Sequence, residues 1–182
     1  LGLGQKTAIG LGHEATGLLP ESAGLTIADL ANLSLGQGQL LVTPLQVAQL
    51  TQAIANDGLL IPAHLIEEVR TSQGMALFRP QRAPSRRVIS RQTAARLREA
   101  MRAVTESGTG QLARVAEGGA AGKTGSAETG PTGVSHAWFT GFAPTGRPRY
   151  VVTVLVEEGG SGGERAAPIF RQIVEGIIAS LR

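Results

Sequence analysis

Residues 122–128 read Gly-Lys-Thr-Gly-Ser-Ala-Glu, and Lys123 is one of only two lysines among the seventeen basic residues of the chain. Two apolar runs follow this stretch, one at 136–142 that contains a Trp and two Phe, and a Val-rich one at 150–156. Short apolar runs separated by Gly and Pro residues are typical of β-strands joined by turns. We therefore predict three strands, at about 121–127, 136–143 and 149–157, that form an antiparallel sheet with the Lys-Thr-Gly triplet on the first strand.

The first predicted helix lies well before the sheet. Thr43 and Gln46 have the spacing of a capping box, Pro44 suits the first turn, and the helix should run over 44–56. Gly58 then provides the residue type that commonly follows a helix C-terminus.

Two further helices flank the predicted sheet in sequence. Ser90 can cap a helix over about 91–105, and apolar residues recur at helical spacing over 168–181, in a stripe wide enough to cover a sheet face. The predicted fold class is α/β of the α+β type. In it, an antiparallel sheet of about three strands is backed by the C-terminal helix and flanked by the other two helices.

The remaining segments carry weaker signals. Residues 1–42 are Gly-rich and should form loops and turns with one short helix near 27–33, and residues 65–78 predict a hairpin around a Thr-Ser-Gln-Gly turn. The Gly-rich stretch 159–163 is predicted to be flexible. Trp138 and Phe139 are predicted to be core residues of the second strand.

The Lys-Thr-Gly strand resembles the third active-site motif of the penicillin-recognising serine enzymes, the transpeptidases and β-lactamases. An ordered series of other segments is similar to those of one branch, the class B penicillin-binding proteins, which are peptidoglycan D,D-transpeptidases. In chain order these segments are 1–7, 18–20, 33–38, 43–46, 55–58, the triplet itself, 136–139 and 166–168.

The chain departs from this family at the nucleophile. The family carries a Ser three residues before a Lys, and then a Ser-x-Asn triplet, yet none of the ten serines here has Lys at +3 or Asn at +2. By resemblance, both motifs belong upstream of Leu1. We therefore expect residues 1–182 to be a partial transpeptidase domain, inactive alone.

The resemblance also implies roles for the residues of the triplet. Lys123 would supply positive charge near the nucleophile and the substrate carboxylate, to which the Thr124 and Ser126 hydroxyls would donate hydrogen bonds. Gly125, without a side chain, would let substrate lie along the strand, and the Ser126 backbone N–H would be one donor of the oxyanion hole. The loop at 108–110 resembles the one that precedes this strand in the family and would shape the cleft rim.

Other functions fit the sequence less well. An isolated Lys-Thr-Gly triplet is most often ordinary strand sequence, but the ordered series outweighs that interpretation. Gly122-Lys123-Thr124 matches the end of a phosphate-binding P-loop, but Glu117 stands where its first Gly is required. A degenerate binding module of the same fold and a β-lactamase or β-lactam sensor remain alternatives.

Composition excludes several partners. Seven of the fifteen arginines lie between residues 70 and 96, but aromatic residues are only 3% of the chain, so nucleic-acid binding is not expected. The chain has no cysteine and three scattered histidines, which predicts no metal site, and no cofactor is expected. By resemblance, the partners are peptidoglycan stem peptides and β-lactams, and the location is extracytoplasmic, with a membrane tether upstream. The 150–156 strand, without charge or Pro, could also self-associate through its edge.

Overall fold

The computed structural model describes residues 2–128 and 133–181. Four α-helices and seven strands follow one another in the order α1, α2, β1, β2, β3, β4, α3, β5, β6, β7 and α4 in the described ranges. The helices are α1 (Ile27–Ser34), α2 (Pro44–Ala55), α3 (Arg91–Glu106) and α4 (Ala167–Ser180). The strands are β1 (Leu59–Leu60), β2 (Val69–Arg70), β3 (Ala76–Phe78), β4 (Arg86–Arg87), β5 (Ala121–Glu128), β6 (Ser135–Ala143) and β7 (Tyr150–Val156).

The central sheet contains three antiparallel strands in the order β5-β6-β7. Lys123 pairs with Thr140, and Thr140 pairs with Thr153, so the register runs straight across the three strands. This confirms the predicted strands, the antiparallel pairing and the position of the Lys-Thr-Gly triplet on the first strand.

One face of this sheet packs against α4. Phe139 of β6 and Phe170 of α4 are both fully buried, with ring centroids 4.8 Å apart. Such an aromatic pair adds about 0.5–1.5 kcal/mol beyond the burial of its surface. Val154 and Val174 belong to the same core, so the C-terminal helix covers the sheet as its apolar stripe predicted.

The opposite face packs against α2 and α3. Met101 of α3 meets Ala121 and Phe142 in a second, smaller core. Beside it, the buried Thr51 hydroxyl of α2 lies 2.7 Å from that of Thr140, which lies 2.7 Å from the hydroxyl of Thr153. Helices α2 and α3 thus form a third layer, and the sheet is covered on both faces.

The predicted helix starts are present in atomic detail. The Thr43 side chain accepts from the Gln46 N–H, and Gln46 Oε1 accepts from the Thr43 N–H at 2.9 Å, which completes the capping box. The Gln46 amide also donates to Gln5 O at 2.9 Å and Thr16 O at 2.8 Å. One buried side chain therefore fixes both the start of α2 and the Gly-rich N-terminal segment.

The hairpin and the short first helix are confirmed as well. Strands β2 and β3 pair antiparallel around the predicted turn, and α1 begins with a capping box between Thr26 and Asp29. A small two-stranded sheet, β1 with β4, was not predicted, because each strand has only two residues and carries no alternating pattern.

Two predictions need correction. The stretch 159–163 was predicted to be flexible, but Gly162 is buried and begins a π-helical turn, Gly162–Ala166, that packs on β5 and β6. Trp138 was predicted to be core like Phe139, yet it is only partly buried. Adjacent residues of a strand point to opposite faces, so only Phe139 reaches the core under α4.

Strand β7 lies at one edge of the sheet and pairs with β6 alone among the described residues. In the same ranges, none of the helices combines the length and the apolar content that crossing a membrane requires. Side chains of His, Cys, Asp and Glu nowhere gather in threes there in a way that could hold a metal ion.

Candidate active site

Strand β5 forms the other edge of the central sheet, so one row of its backbone groups has no strand beside it in the described part of the chain. Two side chains approach this open edge. Lys123 Nζ donates to Thr124 O at 2.7 Å, and Gln37 Nε2 donates to Ser126 O at 3.3 Å. The carbonyls of Thr124 and Ser126 therefore point away from β6.

The direction of these carbonyls also fixes the direction of the N–H groups. In an antiparallel ladder the N–H and C=O of one residue point to the same side of the strand. The Ser126 N–H consequently points to the open edge, in the row that holds the Lys123 ammonium. The edge thus offers a backbone donor and a cation side by side.

The hydroxyls of Thr124 and Ser126 lie on one face of β5, since they are two residues apart on a strand. Thr124 Oγ1 is 2.7 Å from Thr109 Oγ1, and Ser126 Oγ accepts from the Gly162 N–H at 3.3 Å. Thr109 lies in the turn after α3, and Gly162 begins the π-helical turn. Both turns therefore support the hydroxyls from the α4 side of the sheet.

Glycines permit this close packing. A Cβ on Gly162 would lie 2.3 Å from both Gly125 O and Trp138 O, and a Cβ on Gly122 would lie 2.4 Å from Phe139 Cζ. On the opposite face, a Cβ on Gly125 would lie 3.2 Å from Trp138 Cβ. Gly122 and Gly162 thus leave no space for a side-chain atom, and one at Gly125 would require the Trp138 side chain to shift by a few tenths of an ångström.

The chemistry of this set of groups is that of an anion site. An ammonium, two hydroxyls and one backbone N–H converge on one exposed strand edge, and all four can donate hydrogen bonds. Charge-assisted hydrogen bonds to a carboxylate are about twice as strong as neutral ones. A carboxylate with a carbonyl a short distance from it would find a donor for each group.

The structure thus brings together all four residues named from the sequence. Thr124 and Ser126 share a face as alternation predicts, and Lys123 and Ser126 are exposed on the edge strand. Lys123 lies at the rim, because alternation directs it away from the two hydroxyls and it folds over the edge to Thr124 O. The roles assigned to these residues remain predictions.

Sequence reasoning missed three contacts of the site. Thr109 was included only as part of a loop, Gly162 was placed in a flexible stretch, and Gln37 was cited only within a family segment. Each makes its contact across a long sequence separation, up to 89 residues for Gln37 with Ser126. The Gly-Thr-Gly turn and the paired glycines at 162–163 were the available signals, since Gly permits close backbone approach.

Comparison with known proteins agrees with this geometry. Residues 1–175 match the family described as penicillin binding protein transpeptidase domain. The chain belongs to this transpeptidase family. That conclusion confirms the resemblance drawn from the Lys-Thr-Gly strand and from the ordered segments around it.

Among its relatives in this family is the penicillin-binding protein PbpB of Mycolicibacterium smegmatis, 36% identical over 97% of this chain and 30% of the relative. The peptidoglycan D,D-transpeptidase PbpA of the same organism is 36% identical over 89% of this chain and 33% of the relative. The chain therefore spans about a third of the length of these relatives.

Solved structures of the family superpose closely. Penicillin-binding protein 3 of Mycobacterium tuberculosis, complexed with aztreonam, has a TM-score of 0.83 and 34% identity over 98% of this chain and 44% of that one. The imipenem acyl-enzyme complex of penicillin-binding protein A from M. tuberculosis has a TM-score of 0.84 and 31% identity, covering 97% of this chain and 40% of that one. Transpeptidase-family members of this fold thus bind β-lactams, one of them as an acyl-enzyme.

Proposed function

We propose that this chain is the Lys-Thr-Gly portion of a penicillin-binding peptidoglycan D,D-transpeptidase. The observation that carries the proposal is the convergence of Lys123, Thr124, Ser126 and the Ser126 N–H on the open edge of β5. In this assignment Lys123 and the two hydroxyls bind the carboxylate of a stem peptide or β-lactam, and the Ser126 N–H stabilises the oxyanion.

The reaction needs a serine and its activating lysine from the rest of the protein. The serine oxygen attacks the carbonyl of the donor peptide, a tetrahedral oxyanion forms, and the terminal residue leaves as the acyl-serine forms. The amine of a second stem peptide then attacks that ester, which creates the cross-link and frees the serine. A β-lactam would follow the first step through opening of its ring and would stay attached.

We expect residues 1–182 alone to form no stable covalent adduct with benzylpenicillin. None of the ten serines has a lysine three residues later, so none has the partner that activates a serine in this family. Mass spectrometry of the intact chain after incubation should show its unmodified mass.

The full-length protein that carries this chain is the matched comparison and should gain one acyl group under the same conditions. A stoichiometric adduct on any serine of the isolated chain would contradict the serine assignment. Failure of the full-length protein to react would favour the degenerate binding module, and rapid release of hydrolysed β-lactam would favour a β-lactamase.

The location of the full-length protein follows from the proposed substrate. Peptidoglycan cross-linking takes place outside the cytoplasmic membrane, so an extracytoplasmic domain with a membrane tether elsewhere in the protein is proposed.

Self-association through the edge of β7 is proposed for the isolated chain. Residues Tyr150–Val156 contain no charge and no Pro, and such an edge can pair with another chain. Light scattering over a concentration series should show a rise in average mass. A strict monomer at the highest concentration would refute pairing through this edge.

A further inference from the structure

The turn at Thr109 is built so tightly that it fixes the position of this residue. A Cβ on Gly110 would lie 2.9 Å from Val104 Cγ1 and 3.0 Å from Phe139 Cε2, so this turn sits directly on the core. On its other side, a Cβ on Gly163 would lie 2.5 Å from Thr109 O. The Thr109 backbone is thereby held between α3, the core under α4 and the π-helical turn.

The Thr109 hydroxyl is held against one atom of the candidate site, Thr124 Oγ1, at 2.7 Å. A hydroxyl has one proton to donate and two lone pairs that accept. In this pair, one hydroxyl must therefore donate to the other. If Thr124 donates to Thr109, the Thr124 proton is used within the protein; if Thr109 donates, the Thr124 proton is free.

A carboxylate selects between these two arrangements, because it only accepts hydrogen bonds. Its binding requires the Thr124 proton, so Thr109 must donate to Thr124 in the bound state. Hydrogen bonds in such a chain polarise one another and strengthen the terminal one. The Thr109 hydroxyl thus acts on the carboxylate through Thr124.

The neighbouring hydroxyl is arranged in the same way by a backbone group. The Gly162 N–H can only donate, and it donates to Ser126 Oγ at 3.3 Å. The Ser126 proton is therefore directed elsewhere, toward ligand. In the bound state, each hydroxyl on this face of β5 therefore accepts a hydrogen bond from the α4 side of the sheet, Thr124 from a side chain and Ser126 from a backbone amide.

We propose that Thr109 is a positioning residue that sets the Thr124 hydroxyl as a donor to the ligand carboxylate, and so tunes the preference of the site for carboxylate-bearing ligands. This inference rests on the proposed function of the Lys-Thr-Gly strand. It predicts that the Thr109 hydroxyl matters most when the ligand has an ionised carboxylate, because an ester carbonyl is an uncharged and therefore weaker acceptor of the hydrogen bond.

The test compares Thr109→Val with wild type in the full-length protein. Val keeps the shape of Thr and removes the hydroxyl. The second-order rate constant of acylation is measured for benzylpenicillin and for its methyl ester, which has no free carboxylate. Thr109→Val should lower the rate with the free acid by about 5- to 30-fold, as expected for a lost hydrogen bond in a chain to a charged group, and change the ester rate by less than about twofold.

Two further variants separate positioning from folding. Thr109→Ser keeps the hydroxyl and should restore most of the wild-type ratio of acid to ester rates. In a double-mutant cycle, Thr109→Val added to Thr124→Val should cause almost no further loss, because Thr109 acts through Thr124.

The outcomes discriminate between the proposals. An unchanged acid-to-ester ratio in Thr109→Val, an equal loss for both ligands, or full additivity with Thr124→Val would each overturn the role of Thr109 while leaving the proposed function in place. If Thr109→Val does not fold, the ratio measured for Thr109→Ser and Thr109→Ala decides. A wild-type full-length protein that is not acylated by the free acid would overturn the proposed function itself, and this inference with it.

Discussion

Replacement of Lys123 with Ala should slow acylation of the full-length protein by benzylpenicillin by about 10- to 150-fold, the range expected for losing a hydrogen bond to a charged group worth about 1.5–3 kcal/mol. Lys123 is exposed on the edge strand, and its Nζ lies 2.7 Å from Thr124 O, in the row that contains the Ser126 N–H. Without it, the carboxylate would keep its hydrogen bonds to the uncharged donors but would lose the ion pair with the ammonium.

The chain offers a matched control for this substitution. Lys6 is the only other lysine, it is exposed, and it belongs to the N-terminal segment and not to β5. Lys6→Ala should therefore leave the acylation rate within about twofold of wild type, because a surface charge outside the site contributes little. Lys123→Arg should recover part of the rate, since a guanidinium keeps the charge but differs in shape and reach.

These rates are measured by mass spectrometry of samples quenched at successive times, and a urea unfolding curve is recorded for each variant. An Ala variant at position 123 that reacts as fast as Lys6→Ala would remove Lys123 from the proposed site. If the Lys123→Ala rate falls only as far as the urea curve shows the folded fraction to fall, Lys123 would be assigned to the fold instead.

The sequence predicted the parts of this fold that depend on local signals. The capping box at Thr43 and Gln46 determined the start of α2, and Ser90 determined that of α3, because a cap is a contact between residues three apart. The three central strands followed from apolar runs between turn residues. The site strand could be predicted because the Lys-Thr-Gly triplet is contiguous in the sequence.

Features that depend on contacts between distant segments were harder to predict. Thr109 looks like an ordinary turn residue until its hydroxyl is seen 2.7 Å from that of Thr124, fifteen residues later. The stretch at 159–163 looked flexible because Gly has a permissive backbone. In the structure, Gly162 is required because it has no side chain and so allows the turn to approach the strand backbone closely. Trp138 was misplaced because an apolar run does not show which alternate residues face the larger core.

Gly162→Ala should destabilise the isolated chain by about 1–3 kcal/mol, the usual cost of overpacking a buried site. Its φ lies outside the left-handed region, so the backbone conformation itself suits Ala and the effect is steric. The added methyl would lie 2.3 Å from Gly125 O and 2.3 Å from Trp138 O. Both atoms belong to the backbone of paired strands and cannot rotate aside as a side chain would.

The π-helical turn would have to lift from the sheet to relieve these contacts, which would weaken the Gly162 N–H bond to Ser126 Oγ and expose the buried Ala166 and Ala167. Gly176→Ala is the matched control, because Gly176 lies within α4 and an added Cβ would have no atom within 4 Å beyond the adjacent residues and the nearby backbone of the helix itself. That variant should gain about 0.5–1 kcal/mol, as a helix-interior Gly replaced by Ala typically does. Urea unfolding of both variants measures the difference, and a Gly162→Ala chain as stable as Gly176→Ala would show that the turn does not support β5.

The Gly162 turn also supports the Ser126 hydroxyl. In the full-length protein, Gly162→Ala should therefore lower the acylation rate, relative to wild type, by a larger factor with the free acid than with the ester.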